Sequence, residues 1–483
     1  MLYVGIILGI LVLLLLIAVI RTLLTPNLKS TYVADEPEEV SLPLAEKLSK
    51  MVQCDTTSFE GQNEPEKWEA FHKVLKELFP LVHEKLEVTD IDGNLLYYWQ
   101  GKSREKPILL MSHQDVVPAG GEWKYPPFSG TIAEGKVWGR GTGDTKCSVM
   151  AFLQAVEELL SEGYTPDCDV YLSSSCTEEV GGDGCPKLVE EIRRRGVDLF
   201  LVVDEGGAIV REPIGGIPGN FAMLGVFEKG CADVDFTARG RGGHASAPGK
   251  DTPIDRLSAF VRDVNKYPFQ KKLLPEVAAM FSRLAPYCSF PLKLVLGNLW
   301  LFGPVLKLAL PAISPTAAAM LKTTVAFTMS SGSQAYNVLP RTATVSANIR
   351  YIPHQGEKET LSILEKLAKK HDLKMTVVNS NDYSPSADIH GEAFRSVEAA
   401  IAQTFPGLPA IPYVMTGATD ARFYQRYFPD CVRFAPVVYG PEQMASMHAP
   451  NENLEYNCLP GAVRLYKNLI KGQKREALHC KQH

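Results

Sequence analysis

His113, Asp115, Asp144, Glu178, Glu179, Asp204 and His448 are residue types that hold divalent cations and move protons. They fall in short polar stretches, SHQDVVP, GRGTGDTK, TEEVGG, VVDEGG and MHAPNEN. One imidazole and one carboxylate for each of two ions, plus one shared carboxylate, is a sufficient donor set for a pair about 3.5–4 Å apart. Nitrogen and oxygen donors at four or five coordination suit zinc, and cobalt and manganese also suit such a set. A bound ion brings the pKa of water to about 7, and a nearby unligated carboxylate then takes its proton. The adjacent Glu178 and Glu179 fit these two jobs, one as ligand and the other as base. Asp115, close behind His113, is placed to accept the second imidazole N–H and fix the tautomer. Each stretch is weak alone: SHQD could be a surface turn, and paired glutamates are usually solvated. GRGTGDTK lacks the spacing of a phosphate loop. The order of the set, and the elements it terminates, make it specific.

Those elements alternate. Ile108–Met111 is a short apolar run that delivers His113 at its C-terminal end, as a buried strand would. Helical spacing covers Ser148–Leu160. Asp169–Leu172 and Leu199–Val203 read as further strands that end before Glu178 and at Asp204. Strands alternating with helices predict an α/β fold with a sheet flanked by helices on both faces, and ligands in such sheets gather beyond the carboxyl ends of strands. Composition shifts near residue 222. Strands are expected over Val234–Thr237, Thr324–Met329 and Ala343–Ile349, and helices over Thr252–Val264 and Glu357–Lys369. This β-α-β-β-α-β series predicts a two-layer α+β unit. Helical patterning returns at Ala393–Thr404 and Gly461–Ile470, so the second unit is inserted into the first. The expected division is 41–221 and 383–475 for a catalytic domain and 222–382 for the inserted domain.

The first residues differ from the rest. Leu2–Ile20 is uncharged and apolar, long enough to span a hydrocarbon core of about 30 Å. Only Met1 precedes it, with no basic start, so residues 1–25 read as an uncleaved single-pass anchor rather than a cleaved signal. Arg21 and Lys29 lean toward a cytosolic body, but two charges leave the side of the membrane open. Residues 26–40, rich in acids and prolines, read as a polar linker. The net charge of −5 gives no reason to expect nucleic acid. The ten cysteines are scattered, without C-x-x-C pairs, and read as small buried apolar residues.

Taken together, these motifs resemble the dinuclear-zinc aminoacylase and carboxypeptidase family over roughly Ser41–Ile470. The resemblance implies a zinc-hydrolase catalytic domain with an inserted lid that serves for dimerisation. It implies that His113 and Asp204 hold one zinc, Glu179 and His448 the other, and that Asp144 bridges them. Asp115 would orient His113 and Glu178 would be the general base. His244 in GRGGHASAP would meet the scissile carbonyl, within its own chain or across a homodimer. Asn337 in YNVLP and Arg350 in NIRYIP would contact the substrate carbonyl and carboxylate, and Gly417 in TGATDAR would line the site. Relatives commonly have an acid or amide after the bridging aspartate, often across a cis peptide, where this chain has Thr145.

Residues 267–322 form an extra segment. From Leu284 to Leu321 its only charges are Lys293 and Lys307, and five prolines interrupt it, too many for a second span. It is open to three readings: packing or dimer contact, a cover for a long acyl chain, or a helix lying on the membrane. The segment most resembles that of the N-fatty-acyl-amino-acid synthase/hydrolase branch, close to carboxypeptidase S. The expected activity is hydrolysis of the amide of an N-acyl-amino acid. The alternatives are a carboxypeptidase or dipeptidase on the same site, and a membrane-tethered binding protein on an inactive scaffold.

Overall fold

The computed structural model describes residues 2–62, 64–213, 217–313 and 315–474. Residue 475, the expected end of the catalytic domain, and Cys480 lie outside these.

The expected strands pair in a mixed ten-stranded sheet. Ser103–Met111 lies parallel to both Cys168–Ser174 and Leu201–Asp204, and Cys431–Arg433 runs parallel beyond the latter. Asn94–Trp99 and Glu87–Ile91 add an antiparallel edge. Helices Lys146–Ser161, Glu38–Val52 and Leu459–Gly472 contribute to one apolar core, and Gly184–Arg194 to a second one. The central strands are apolar along both faces because both are covered.

A separate antiparallel sheet runs in the order Thr324–Ser331, Thr342–Tyr351, Gly230–Arg239, Leu373–Asn381. The helices Pro253–Lys266 and Glu357–Lys370 contribute Leu257, Phe260, Val264, Leu364 and Ala368 to its own core. The inserted α+β unit is therefore present, but it begins later than residue 222. Strand Asn220–Glu228, buried at every position, pairs with Ala410–Met415 in the large sheet. The chain crosses between the sheets at Lys229–Gly230. A Cβ on Gly230 would fall 2.6–2.7 Å from the backbone of Asn381, Asp382 and Tyr383, so the two crossing strands approach as closely as only glycine permits.

Lys229, at this crossing, is buried and donates to the carbonyls of Ala319 and Lys322, each at 2.9 Å. Burial, helped by Arg350 and Lys322, lowers its pKa from the ordinary 10.5 to about 7. Between those values the unfolded chain holds a proton that the folded one lacks, so this residue's contribution to stability rises with pH across the window. Lys229→Met should remove about 2 kcal/mol of the wild-type gain between pH 7 and 9. Denaturant unfolding of both proteins at the two pH values measures this.

The N-terminal helix, Leu2–Leu24, is long and apolar enough to cross a membrane, with mean hydropathy 3.2 and 6% of its apolar window buried. A signal sequence has the same properties. The expected linker is not a free tether. Leu28 N–H bonds Pro286 O (2.9 Å), Thr31 N–H bonds Gly407 O (3.2 Å), and Tyr32 packs edge-on against Phe405. Its last residues, from Glu38, already belong to the next helix. All described cysteines are free thiols, and all but Cys54 and Cys231 are buried.

Within the extra segment, Leu274, Val277, Phe281, Leu284 and Leu296 join the core of the large sheet. Tyr267 and Phe269 stay with the core of the inserted sheet, and from Leu274 onward the segment packs onto the catalytic body. A break separates Phe290–Leu296 from the helix Leu299–Ile313.

Candidate metal site

Three parallel strands place the site. Ser103–Met111 leads into His113, Cys168–Ser174 into Glu178 and Glu179, and Leu201–Asp204 into Glu205. Asp144 stands between strand Lys136–Trp138 and helix Lys146–Ser161. The loop carrying it is held by one buried carboxylate. Glu452 Oε1 accepts the N–H groups of Gly141 (3.0 Å), Gly143 (2.9 Å) and Asp144 (3.1 Å), and its Oε2 accepts from Arg140 Nη1 (2.6 Å). Glu452 follows closely on His448, so this contact sets the two loops in register.

Asp144 lies between two imidazoles. Its Oδ1 is 3.1 Å from His113 Nε2 and its Oδ2 is 3.0 Å from His448 Nε2. Glu179 Oε2 is 3.3 Å from the same His448 nitrogen. Ligand atoms of His113, Asp144 and Glu179 all fall within 4.8 Å of one another. His448 holds its place with a left-handed backbone (φ 57°), uncommon for a residue with a side chain. The Asp144–Thr145 peptide is cis, as the resemblance implied. Thr145 takes part in a hydroxyl chain, accepting from Ser112 Oγ (3.2 Å) and donating to Ser148 Oγ (3.1 Å).

Asp115 meets His113 through two groups. The closest acceptor for His113 Nδ1 is Asp115's backbone carbonyl, at 2.9 Å, while its carboxylate lies at 3.4 Å. That carboxylate accepts the Glu178 and Glu179 N–H groups (3.2 and 3.1 Å) and the Ser58 hydroxyl (2.7 Å). It therefore positions the glutamate pair as well as the histidine.

Asp204, expected to hold a metal ion, does not fall in the cluster of His113, Asp144 and Glu179. Its Oδ1 and Oδ2 accept the N–H groups of Glu205 and Ala421, both at 2.8 Å, and it faces Asp420 and Arg433. Burial, then Asp420, raises its pKa to about 7. The next residue, Glu205, is the one that feels Asp144 and His113: burial and the Asp144 and Asp204 charges push it well above the carboxylate range. Glu205, just past the end of the strand, is thus the neighbouring carboxylate to test as a ligand in place of Asp204. Glu205→Gln should cost the protein a metal equivalent. Asp204→Asn should keep both equivalents and lose about 1–3 kcal/mol of stability. Metal analysis and thermal unfolding of the two variants separate these outcomes.

The charges explain the shifts. Burial pushes Glu178 well above its usual range, against the pull of His113 and Arg422, and it raises Glu179 as well. Burial would lower His113, but Asp115 and Asp144 outweigh it and leave the imidazole well above 6.5. His448 rises to about 10 through its bonds to Asp144 and Glu179. So many half-buried carboxylates are unfavourable together without a cation. Glu179 Oε1 is buried with no hydrogen-bond partner, an acceptor whose lone pairs are free for a cation. The residues present thus fit a divalent cation at His113, Asp144 and Glu179, with His448 beside them.

A cavity of about 500 Å³ opens beside these residues, lined by Glu178, Glu179, His448, Gly417, Arg350 and Arg422. Arg422, unremarked in the sequence reading, has Nη1 3.6 Å from Glu178 Oε1. The DAR of TGATDAR was the available signal. Arg350 Nε bonds Asn348 Oδ1 (3.0 Å), and Asn348 is itself held by Asp233 (2.8 Å). His244 and Asn337 lie elsewhere. They share a two-stranded ribbon, with Ala245 N–H bonded to Asn337 O (2.9 Å), and line a second cavity of about 540 Å³. Within one chain the structure does not bring them to Asp144.

Paired imidazoles and clustered carboxylates at the carboxyl ends of a parallel sheet, beside an arginine-lined cavity, define a metal-dependent hydrolase. Residues 109–472 match the model of peptidase family M20/M25/M40. The chain belongs to that family of amide-bond hydrolases and metallopeptidases, whose members typically bind two metal ions. Probable carboxypeptidase S-like 2 of Dictyostelium discoideum is 32% identical over 446 residues, covering 90% of this chain and 86% of that protein. N-fatty-acyl-amino acid synthase/hydrolase PM20D1 of Xenopus tropicalis is 33% identical over 491 residues, covering 95% and 93%. Among solved structures, the M20 family metallo-carboxypeptidase Sso-CP2 from Sulfolobus solfataricus superposes with a TM-score of 0.68 at 18% identity, covering 89% of this chain and 98% of that one, which bears out the fold.

Proposed function

We propose that this enzyme hydrolyses the amide bond of N-acyl-amino acids with long acyl chains, from a body anchored to a membrane by its N-terminal helix. The observation that carries the reading is the cavity itself, lined by Glu178, Glu179 and His448 together with Arg350. The match to N-fatty-acyl-amino acid synthase/hydrolases along nearly the whole chain supports it. His113, Asp144, Glu179 and His448 would hold the ions, zinc by the donor chemistry, which when bound would supply Lewis acidity to the scissile carbonyl and the attacking water.

The chain's own groups do the rest. Glu178 takes the proton of the attacking water and returns it to the leaving amide nitrogen. Its environment suits that exchange: burial raises its proton affinity, while Arg422 and His113 limit the rise. Asp115 holds the turn that presents it. Arg350, with its Nε fixed by Asn348, offers its remaining N–H groups to the free carboxylate of the amino acid. His244 and Asn337 would act from a second copy, its inserted domain placed over the cavity as a lid. Ser246 N–H donates to His244 Nδ1 (3.2 Å), so the neutral ring carries its proton on Nε2, ready for the developing oxyanion. Arg350→Ala should raise KM about 10–100-fold, the worth of a charged hydrogen bond, with a smaller change in kcat. Steady-state kinetics on one acyl-amino acid tests it.

A second reading, release of a C-terminal amino acid from a peptide, is favoured by the match to carboxypeptidase S-like 2. The deciding experiment gives the zinc-loaded full-length enzyme an N-long-chain-acyl-phenylalanine and a short dipeptide, with Glu178→Ala as the blank. Faster cleavage of the acyl-amino acid supports the amidohydrolase. Faster dipeptide cleavage moves the enzyme to the peptidases.

A further inference from the structure

Helix Leu299–Ile313 carries an uncovered apolar face. Trp300, Pro304, Val305, Leu308 and Ala312 are exposed, whereas Gly303 and Leu306 are buried. Spacing of four residues puts the exposed set on one side of the helix. Trp300 is 47%, Val305 61% and Leu308 70% exposed. No acidic residue lies between Glu276 and Glu357, and the helix's one charge is Lys307. An apolar face with a basic flank and no acids suits lipid headgroups and acyl chains.

What this face meets is indicated by what is attached beside it. Asn298, just before the helix, donates to Thr22 Oγ1 (3.0 Å) and Ala18 O (3.3 Å), and it accepts from Trp300 Nε1 (3.2 Å). Ala18 and Thr22 are the buried residues of the N-terminal helix, whose preceding turns stand exposed. Lys293 is itself buried. It caps the end of the N-terminal helix, donating to Thr25 O (3.1 Å), Pro26 O (3.4 Å) and Asn27 Oδ1, where a cation also meets the negative end of the helix dipole. The apolar helix thus leaves the body at the foot of the exposed face. Phe290–Leu296 and Leu299–Ala312 are bent by 99°, so they do not continue as one straight span.

We propose that the Trp300–Val305–Leu308 face lies in the surface of the same bilayer that the N-terminal helix enters, as a second, in-plane membrane contact. This rests on reading the N-terminal helix as an anchor. The contact orients the body. The chain then continues into Pro315–Leu321, where the carbonyls of Ala319 and, just beyond, Lys322 hold Lys229 on the wall of the site cavity. A substrate whose acyl chain is dissolved in the bilayer would therefore approach the cavity from this side.

Tryptophan emission tests it, because Trp300 is the one exposed tryptophan among the described residues and the N-terminal helix contains none. The full chain is reconstituted in phosphatidylcholine vesicles with and without brominated acyl chains. The expected result is quenching by brominated lipid that disappears in Trp300→Phe and falls in a Val305→Asp/Leu308→Asp variant, with every protein still retained by the vesicles after alkaline carbonate extraction. Emission indifferent to brominated lipid in a carbonate-resistant protein overturns the in-plane contact and leaves the anchor standing. Indifference to bromine together with dependence on the protein-to-lipid ratio assigns the face to a second copy, and also overturns it. Release by carbonate overturns the anchor and this contact with it.

Discussion

Glu178→Gln is expected to lower kcat by about 10²–10⁴-fold, the usual worth of a positioned general base, with metal content and KM nearly unchanged. The amide keeps the size of the side chain and removes its ability to take a proton. The turn it sits on should survive, since Asp115 holds that turn through the backbone N–H groups of Glu178 and Glu179 rather than through the side chain. Arg422, 3.6 Å from the carboxylate, loses its charged neighbour but keeps its bond to Thr419 O at 2.9 Å. Steady-state kinetics beside a metal analysis of the same sample checks the claim. A variant that turns over normally would remove Glu178 from the chemistry, and one that loses metal would make it a ligand.

Asp144→Asn should do more. Each of its carboxylate oxygens faces a different imidazole, Oδ1 toward His113 and Oδ2 toward His448, so one side chain links both halves of the site. Losing its charge should abolish tight binding of both ions and bring hydrolysis to background. The loop itself should hold, because Glu452 fixes it through three backbone N–H groups. Metal analysis and a melting curve distinguish the outcomes: an intact fold without metal is expected, and a variant retaining two equivalents would rule out the bridging role. Glu452→Ala is the contrasting case. It strips Arg140 of its buried partner (2.6 Å), which should cost about 3–5 kcal/mol of stability.

Much of this protein was readable before folding because its chemistry lies in local motifs at strand ends. An apolar run followed by His113, or a glutamate pair after a strand, needs only periodicity and order to be recognised, and each expected strand and helix that carries such a motif is present. The N-terminal apolar run and the β-α-β-β-α-β series were legible for the same reason, as patterns that depend on near neighbours. The extent of the inserted unit was not. Asn220–Glu228 looks like any buried strand, and which sheet it joins depends on its pairing with Ala410–Met415, far along the chain.

The sequence by itself determined the class of chemistry, the order of the donors and the sheet that carries them. Tertiary structure decided what depends on the direction a side chain points and on contacts between distant segments. It left Asp204 accepting the Ala421 N–H group, outside the cluster of His113, Asp144 and Glu179. It brought Arg422 beside Glu178, kept His244 on a separate ribbon, and set the N-terminal helix against Asn298. None of these pairs is close in sequence, so no periodicity could announce them. Only the packed chain brings their atoms within bonding distance or holds them apart.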